Sequence, residues 1–522
     1  MNGSIRTPRK HLIPILCWLA VICLPVVTSA EIRLPAVIAD NMVLQQGTEA
    51  PLWGWASPGE DILIKASWRA TEWVVRTGQD GTWACRVRPP EAGGPYQMTL
   101  KGANTITLRN ILVGEVWVCS GQSNMAMTVQ SSANAQEEIA AATYPKIRLF
   151  SVARKVADTP QHDCTGNWAE CSPQTVPGFS ATAYFFGREL HRKLNVPIGL
   201  IHTSWGGTPA EAWTSPAMLK SNSAFAPIVE RYEEAVKNYP QAMKDYERKV
   251  EKWKAAAAQA KADGKNPPRR PRAPFGPGHS HSPAGLYNAM IAPLIPYAIQ
   301  GAIWYQGESN ASRAYQYRTI FPAMIESWRE NWKQGDFPFL FVQLANFMAV
   351  KPEPGESAWA ELREAQTMTL EHPNTGMAVI IDIGEATNIH PKNKQDVGKR
   401  LAFWALANTY DKDIVSSGPL YTSMEKKRRR IVLHFDHVGG GLVAKGDKLE
   451  GFAIAGEDRQ FVWANARIMG ETVVVSSKKV PEPVAVRYAW ADNPVCNLYN
   501  EAGLPASPFR TDTWPGVTAE AK

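Results

Sequence analysis

Ser123 is the residue of this sequence whose type and position best fit a catalytic nucleophile. It lies in GEVWVCSGQSNMAM, where an apolar run from Ile111 to Cys119 predicts a buried strand and the methionines after the turn predict a helix. A serine at such a junction lies at the carboxyl edge of a sheet and at a helix N-terminus, where backbone N–H groups favour developing negative charge. Serine is also a common helix cap, and the segment does not match GxSxG, so its neighbours must decide between catalysis and capping.

Two later stretches carry hydrogen-bond donors and an acid. The stretch SWGGTPAEAW contains Gly206 and Gly207, where the missing side chains let backbone N–H groups approach a ligand. In WYQGESN, which ends another apolar run, the Gln306 amide could donate to an oxyanion and the Glu308 carboxylate could orient a base. Taken alone, each stretch is equally compatible with an ordinary polar turn.

A candidate base follows in the stretch VIIDIGEATNIHPKNK. An apolar run ends at Asp382, and His390 lies beyond it in a polar loop that precedes a predicted helix. Because the carboxyl ends of parallel strands meet at one edge of a sheet, we expect His390 and Ser123 at the same edge. The four stretches then supply a nucleophile, backbone donors, an amide donor, an acid and a base, which are the groups that acyl transfer requires.

The same motifs resemble those of a known family. GQSNM, SWGGTPAEAW, WYQGESN and IHPKNK, in this order, resemble the sialate O-acetylesterases, which are members of the SGNH-hydrolase group. Stretches such as MVLQ, GFSATAYFFGREL and GLPASPFRTD also look like family sequence, so the resemblance covers nearly all of the chain beyond the N-terminal segment. It implies hydrolysis of O-acetyl esters, preferably of O-acetylated sialic acids, without a metal or an organic cofactor.

Carried over to this sequence, the resemblance gives each residue a role. Ser123 becomes the nucleophile that forms an acetyl-enzyme, and His390 becomes the general base that takes its proton. The Gly207 N–H and the Gln306 amide complete the oxyanion hole, with Gln306 standing where many SGNH enzymes have asparagine. The third member of the triad stays open at this point, because SGNH hydrolases often place an aspartate three residues before the histidine and Thr387 stands there.

Several carboxylates could replace that aspartate. Related acetylesterases use the glutamate of the QGE motif, which makes Glu308 the first choice. Glu385 and Asp382 are alternatives, and a Ser–His dyad oriented by a backbone carbonyl is a further one.

Aromatic residues beside the motifs are candidates for binding sugar. Trp205, Trp213, Trp304 and Tyr305 could pack against a sugar ring, with core packing as the equal alternative for each. Nothing in these residues separates sialic acid from acetylated xylan or another polysaccharide as the substrate. A non-catalytic carbohydrate-binding protein and a glycosidase are further alternatives, the first opposed by the intact Ser123/His390 pair and the second by the lack of an assignable pair of carboxylates.

The elements that must position these residues alternate between strands and helices. Apolar runs predict strands at residues 111–119, 147–153, 198–203, 298–305, 338–345 and 377–383, and helices are predicted at 181–194, 313–332 and 393–409. This alternation predicts an α/β catalytic domain, with a mostly parallel sheet and helices on both faces, over residues 108–215 and 283–410.

Other segments flank or interrupt that domain. Residues 31–107 and 411–522 read as β-sandwich-like domains, because short alternating runs are separated by turn sequences. Residues 216–282 form a helical insertion whose apolar seam contains Pro240, which should kink the helix or start a second one. A Pro-rich return loop follows at 261–278, and packing onto the main domain is favoured over a dimerising coiled coil.

The N-terminus and the composition constrain the location and the partners of the protein. Residues 1–30 have the basic, apolar and small-residue regions of a signal peptide, so we expect a secreted or periplasmic protein with no membrane span after cleavage. Cleavage lowers the net charge from +7 to +4, too little to indicate nucleic-acid binding, and leaves an acetylated glycan as the expected partner. Cys164 and Cys171 are close enough in sequence for a local disulfide, and the histidines of GHSHSP are only a weak metal signal.

Overall fold

The computed structural model of this 522-residue chain describes residues 1–3 and 31–521. The predicted signal peptide therefore lies, apart from its first three residues, outside the described residues. Within the described ranges, no helix combines the length and the apolar character needed to cross a membrane.

Strands make up most of the described elements. In chain order they are β1 (Val43–Gln45), β2 (Ala50–Trp55), β3 (Asp61–Ala66), β4 (Trp73–Arg76), β5 (Thr82–Val87), β6 (Gly93–Lys101), β7 (Thr105–Gly121), β8 (Tyr144–Ser151), β9 (Trp168–Cys171), β10 (Ile198–Ser204), β11 (Gly301–Tyr305), β12 (Phe339–Val342), β13 (Thr375–Ala378), β14 (Leu420–Lys427), β15 (Arg430–Asp436), β16 (Leu442–Ala444), β17 (Phe452–Ala455), β18 (Val462–Trp463), β19 (Asn465–Met469), β20 (Thr472–Ser476), β21 (Ala485–Tyr488), β22 (Leu498–Asn500) and β23 (Phe509–Arg510). The α-helices are α1 (Ser123–Ala126), α2 (Ala135–Ala140), α3 (Ala181–Leu194), α4 (Pro216–Ser221), α5 (Ala226–Ala262), α6 (Ala314–Trp332), α7 (Ala358–Met368) and α8 (Lys394–Asn408).

A mostly parallel sheet forms the centre of the molecule. Its strand order is β13-β12-β11-β7-β10-β8-β9, and within this order only β9 runs antiparallel to its neighbour. Trp117 of β7 packs against Phe186 of α3, whereas Trp304 of β11 packs against Phe321 and Trp328 of α6. Trp304 pairs with Ser120 of β7, so both side chains point to the same face of the sheet. Ser120 lies three residues after Trp117, and side chains alternate between faces along a strand, so α3 and α6 lie on opposite faces of the sheet. The predicted α/β class is confirmed.

The predicted helices of this domain agree closely with the observed ones because capping residues mark their ends. Ser180 caps α3 by accepting a hydrogen bond from the Ala183 N–H at 3.2 Å, and Asn195 ends it in the left-handed conformation. Asn393 caps α8 in the same way through the Asp396 N–H at 3.1 Å.

β7 connects the N-terminal strands to the central sheet. Its first part pairs with β6 in an antiparallel arrangement, and its last part pairs with β10 and β11 in parallel. The predicted domain boundary between residues 107 and 108 lies inside this strand. At the other end of the chain, β14-β15-β20-β19 and β18-β17-β21-β23 form two antiparallel sheets around a separate apolar core.

The insertion is built on one long helix. α5 continues through Pro240 as a single 37-residue helix. Of the two predicted effects of this proline, a kink or the start of a second helix, the second does not occur, because a proline removes only one backbone hydrogen bond of the helix. The return loop covers its apolar seam: the Tyr232 and Phe275 rings lie 5.6 Å apart, and the Trp253 indole donates to the Pro268 carbonyl at 2.7 Å.

The predicted local disulfide is not formed. All five cysteines of the described ranges are free thiols. Cys171 ends β9 inside the core, where its thiol contacts the Ala142 carbonyl at 3.8 Å, and Cys164 lies half-buried before that strand. Cys119, the last residue of the apolar run that predicted a buried strand, is fully buried.

Candidate active site

Ser123 lies where the sequence predicts it, at the junction of a strand and a helix. β7 ends at Gly121, whose φ of +137° and close approach to β11 require glycine, since a Cβ there would overlap the Tyr305 carbonyl. Gln122 follows, and Ser123 is the first residue of α1, so its N–H is one of the donors that a helix leaves unpaired at its N-terminus.

The two glycines of the SWGGT segment lie beside this serine. A Cβ on Gly206 would come within 3.3 Å of the Ser123 Cβ, so the backbone passes close to the nucleophile only because no side chain intervenes. Gly207 is exposed, has a φ of +77°, and leaves open space where a side chain would be. The backbone of the glycine pair is therefore open to a ligand beside Ser123.

Gln306 is placed differently from the expectation. Its side chain is fully buried, and its amide donates to the Thr208 carbonyl at 3.2 Å and to Asn310 Oδ1 at 2.6 Å. Its own oxygen accepts from the Tyr317 hydroxyl at 2.9 Å. Because both amide hydrogens are used inside the protein, this side chain supports the SWGGT and QGESN segments in this structure and offers no free donor to a substrate.

His390 lies half-buried in the loop between β13 and α8. Asn388 holds this loop by accepting from the His390 N–H at 3.0 Å and donating to Glu385 at 3.1 Å. Glu385 also accepts from the Lys392 N–H at 2.7 Å, so it organises the loop backbone. Burial, and after it the charge of Lys394, lowers the pKa of the His390 imidazole, which favours the neutral form that a general base needs.

Asn124, the residue after Ser123, joins the serine segment to the histidine loop. Its amide donates to Glu308 Oε1 at 2.6 Å and to the Ile389 carbonyl at 3.0 Å. Lys394 donates to Asn124 Oδ1 and to the Pro391 carbonyl, each at 2.7 Å. The residues on both sides of His390 are thus tied to the residue after Ser123, although no hydrogen bond joins the imidazole to Ser123 or Glu308 within residues 31–521.

Glu308 and Lys394 are the buried charged groups beneath this site, and the pKa of each is shifted in the direction that favours its neutral form. Burial raises the pKa of the Glu308 carboxyl, against the Asn124 amide and Lys394, which lower it. Burial lowers the pKa of the Lys394 ammonium to about 7, although Glu308 and Glu385 oppose that change. Glu308 Oε2 is buried and has no hydrogen-bond partner among the described residues, so it is free to accept one.

The two alternative carboxylates are already occupied. Asp382 accepts two hydrogen bonds from the Arg400 guanidinium, at 2.6 and 2.8 Å, and a third from the Tyr499 hydroxyl at 3.3 Å. The pKa of Glu385 is lowered, chiefly by its hydrogen bond from the Lys392 backbone. Of the three candidates, only Glu308 keeps an unused, buried oxygen.

The aromatic candidates divide into surface and core. Trp213, Trp304 and Tyr305 are fully buried and offer no surface to a sugar in this structure. Trp205 is half-buried, and the Arg154 guanidinium lies 6.0 Å from its ring centroid. Trp205 is thus the aromatic candidate that can reach a substrate.

Sequence reasoning gave no role to Asn124 and Lys394, although both lie inside the quoted motifs. Their positions in the sequence could have indicated a role in the site. Asn124 follows Ser123 directly, and Lys394 lies four positions after His390 as the first residue of α8. Within residues 31–521, no group of three or more His, Cys, Asp and Glu residues could hold a metal ion.

The fold and the comparisons with known proteins together identify an α/β carboxylic ester hydrolase. The family model described as "Carbohydrate esterase, sialic acid-specific acetylesterase" matches residues 113–256 and 279–406, more than half of the chain. The chain belongs to this family and is a carboxylic ester hydrolase that acts on O-acetyl esters.

Named relatives agree with this assignment. The chain is 31% identical to the sialate O-acetylesterase of Pongo abelii over 93% of its length and 94% of that protein, and the human enzyme gives the same figures. Among solved structures, a carbohydrate acetylesterase from Xanthomonas citri is 37% identical, with a TM-score of 0.79 over 93% of this chain and 100% of that one.

Proposed function

We propose that this enzyme hydrolyses O-acetyl esters of sialic acids through an acetyl-Ser123 intermediate. The observation that carries the proposal is the close approach of Gly206 to Ser123 at the start of α1, with a neutral His390 in the neighbouring loop. The curated relatives named as sialate O-acetylesterases support the choice of sialic acid as the sugar.

The proposed reaction has two halves. Ser123 Oγ attacks the acetyl carbonyl while His390 accepts its proton, and the sugar oxygen leaves after taking that proton back. A water molecule deprotonated by His390 then attacks acetyl-Ser123 and releases acetate. The lowered pKa of His390 suits this role because the base form predominates at neutral pH.

In the proposal, the oxyanion is stabilised by backbone donors at the start of α1 and in the SWGGT segment. The Ser123 N–H and the Gly207 N–H are the donors we assign, since one begins a helix and the other is exposed. Gln306 would have to break its hydrogen bonds to Thr208 and Asn310 to contribute, so we assign it the support of that segment.

We assign Glu308 as the group that orients His390. Its unpartnered oxygen can accept an imidazole N–H, and its other oxygen is tied through Asn124 to the carbonyl of Ile389, next to His390. A carboxylate in this role fixes the tautomer of the base and stabilises the imidazolium.

A polysaccharide acetyl ester is the second candidate substrate. The solved relative that is 37% identical carries the broader name of carbohydrate acetylesterase. The predicted signal peptide is compatible with either substrate, because it would deliver the enzyme to glycans outside the cytoplasm.

Acetate release by the purified protein tests the proposal. Substrates would be a chromogenic acetyl ester, an O-acetylated sialic acid and acetylated xylan, each with wild type, Ser123→Ala and Ser221→Ala. We expect Ser123→Ala to lose about 10,000-fold or more in kcat, whereas replacing the exposed Ser221 of α4 should have no effect. Retained activity in Ser123→Ala would remove the serine from the mechanism, and a preference for xylan would replace sialic acid.

A further inference from the structure

A cavity of about 210 Å³ lies beside the SWGGT segment, between the main domain and the insertion. Its walls come from three parts of the chain: Pro209, Glu211 and Arg313 from the main domain, Ile228 and Arg231 from the start of α5, and Phe275, His281 and Pro283 from the return loop and the residues after it. The insertion therefore supplies about half of the lining.

Two residues that line the cavity follow closely, in the sequence, the glycine pair that approaches Ser123. Gly206 approaches Ser123, and the next residue, Gly207, is hydrogen-bonded through its backbone to the His281 imidazole. Pro209 and Glu211 follow Gly207 by two and four residues. The backbone segment that approaches Ser123 therefore continues directly into the wall of this cavity.

The charges in the cavity do not balance. Glu211 Oε1 is shared by Arg313, at 2.7 Å, and Arg231, at 3.6 Å, and Glu211 Oε2 accepts from the Asn310 amide at 2.9 Å. The Glu211 side chain is only 4% exposed, whereas 38% of the Arg231 side chain is exposed. Two guanidinium groups share one carboxylate, and the more open of them keeps donors for a further acceptor.

The titration of the neighbouring groups preserves this excess of positive charge. Burial alone would raise the pKa of Glu211, but Arg313 and the Asn310 amide lower it by more. The net pKa is below the ordinary value, so the carboxylate stays ionised. Burial, followed by His279, lowers the pKa of His281, which keeps that imidazole neutral at pH 7. The cavity therefore carries about one net positive charge beside a neutral histidine.

We propose that this cavity binds the carboxylate of an acidic sugar, with Arg231 as the residue that selects for it; this inference rests on the proposed function of Ser123. An arginine fork matches a carboxylate with two parallel hydrogen bonds, which gives orientation as well as charge. Glu211 and Arg313 hold the fork in place, because their buried ion pair fixes the carboxylate that Arg231 contacts. The insertion thereby becomes part of the substrate site.

The carboxylate could belong to a sialic acid or to a uronic acid, and the experiment separates them. Acetate release would be measured on an O-acetylated sialic acid, on the methyl ester of its carboxylate, on an O-acetylated uronic acid and on an O-acetylated neutral hexose. We expect wild type to prefer the free acid over its methyl ester by about tenfold or more in kcat/KM. This comparison uses the intact enzyme and does not depend on a variant folding.

Arg231→Gln then tests the residue. We expect it to abolish the preference for the free acid, chiefly through KM, while the methyl ester loses much less. Arg248→Gln is the matched control, since this exposed arginine lies on the same helix and pairs with Asp245. Equal losses on the acid and the methyl ester, or a preference that survives in Arg231→Gln, would overturn the inference.

The outcomes also separate this inference from the proposed function. Hydrolysis of the sialic acid without any preference for the free acid would leave the function and refute the carboxylate site. Arg231-dependent hydrolysis of the uronic acid alone would keep the carboxylate site and refute sialic acid as the substrate. Hydrolysis of the neutral hexose alone would refute both.

Discussion

Two buried groups of charged residues, one around Asp512 and one beneath Ser123, differ in how fully they are paired. Near the C-terminus, Arg487 donates to Asp512 at 2.9 Å and to Glu356 at 2.8 Å, and Arg510 donates to Glu364 at 2.7 Å and to Asp512 at 3.3 Å. Burial alone would lower the pKa of both guanidinium groups, but these carboxylates raise it. The charged state is the stable one here.

Beneath Ser123 the balance is reversed. Glu308 has one oxygen without a partner, and Lys394 donates to an amide oxygen and a backbone carbonyl instead of a carboxylate. Burial therefore dominates, raising the pKa of Glu308 and lowering that of Lys394. A fully paired cluster fixes the docking of the C-terminal segment, whereas an incompletely paired cluster retains hydrogen-bonding capacity that a reaction can use.

Of the substitutions that compare the two clusters, the largest expected effect is on catalysis, at the incompletely paired cluster. Glu308→Gln should lower kcat/KM by about 100- to 10,000-fold, because an amide cannot replace a carboxylate that orients and stabilises the imidazolium. Steady-state acetate release, with circular dichroism to verify folding, measures this effect.

Matched variants of the other carboxylates sharpen the assignment. Glu385→Gln and Asp382→Asn should each cost less than about tenfold in kcat/KM, since these side chains hold the loop backbone and Arg400. If none of the three variants loses more than a few-fold, the Ser–His dyad is the correct description and Glu308 has no orienting role.

The next effect concerns stability, at the fully paired cluster. Asp512→Asn should lower the free energy of unfolding by about 3 kcal/mol, because it leaves two buried guanidinium groups with one partner fewer. Urea denaturation measures the loss, and kcat on a chromogenic ester should stay within a few-fold of wild type.

An exposed ion pair provides the control for Asp512→Asn. Asp61 and Arg76 lie 3.6 Å apart with more than half of each side chain exposed, so Asp61→Asn should leave the denaturation midpoint nearly unchanged. A large loss of kcat in Asp512→Asn at full stability would contradict the division between the two clusters.

The smallest expected effect is a shift of a pH profile. The positive charge of Lys394 lowers the pKa of His390, so Lys394→Met should raise that pKa and move the acid limb of kcat/KM to higher pH by about half a unit. The direction follows because the base form of His390 is the active one and becomes protonated at a higher pH.

Lys392→Met is the control for this profile, since Lys392 lies in the same loop but is exposed. The profile of Lys392→Met should match that of wild type. An acid limb that moves to lower pH in Lys394→Met would show that Lys394 acts on catalysis by another route.

Much of the fold was predictable because local signals were strong. The apolar runs around residues 111–119 and 198–203 became β7 and β10, and the capped segment 181–194 became α3 without any change of bounds. The site was less predictable, because a side chain's partners come from distant segments. Gln306 illustrates this: its residue type fits an oxyanion hole, but contacts to Thr208 and Tyr317 use its hydrogen-bonding groups internally.

By itself, the sequence determined the order of the strands and helices, the family, and the positions of Ser123 after a predicted strand and of His390 in a polar loop before a predicted helix. These features depend on periodicity, capping and motif spacing, which are local properties of the chain. Only the tertiary structure decided which carboxylate keeps a free oxygen, which aromatic residues are exposed, and that Arg231 of the insertion shares Glu211 with Arg313. Those outcomes depend on burial and on pairing between residues far apart in sequence, and both arise only when the chain is packed.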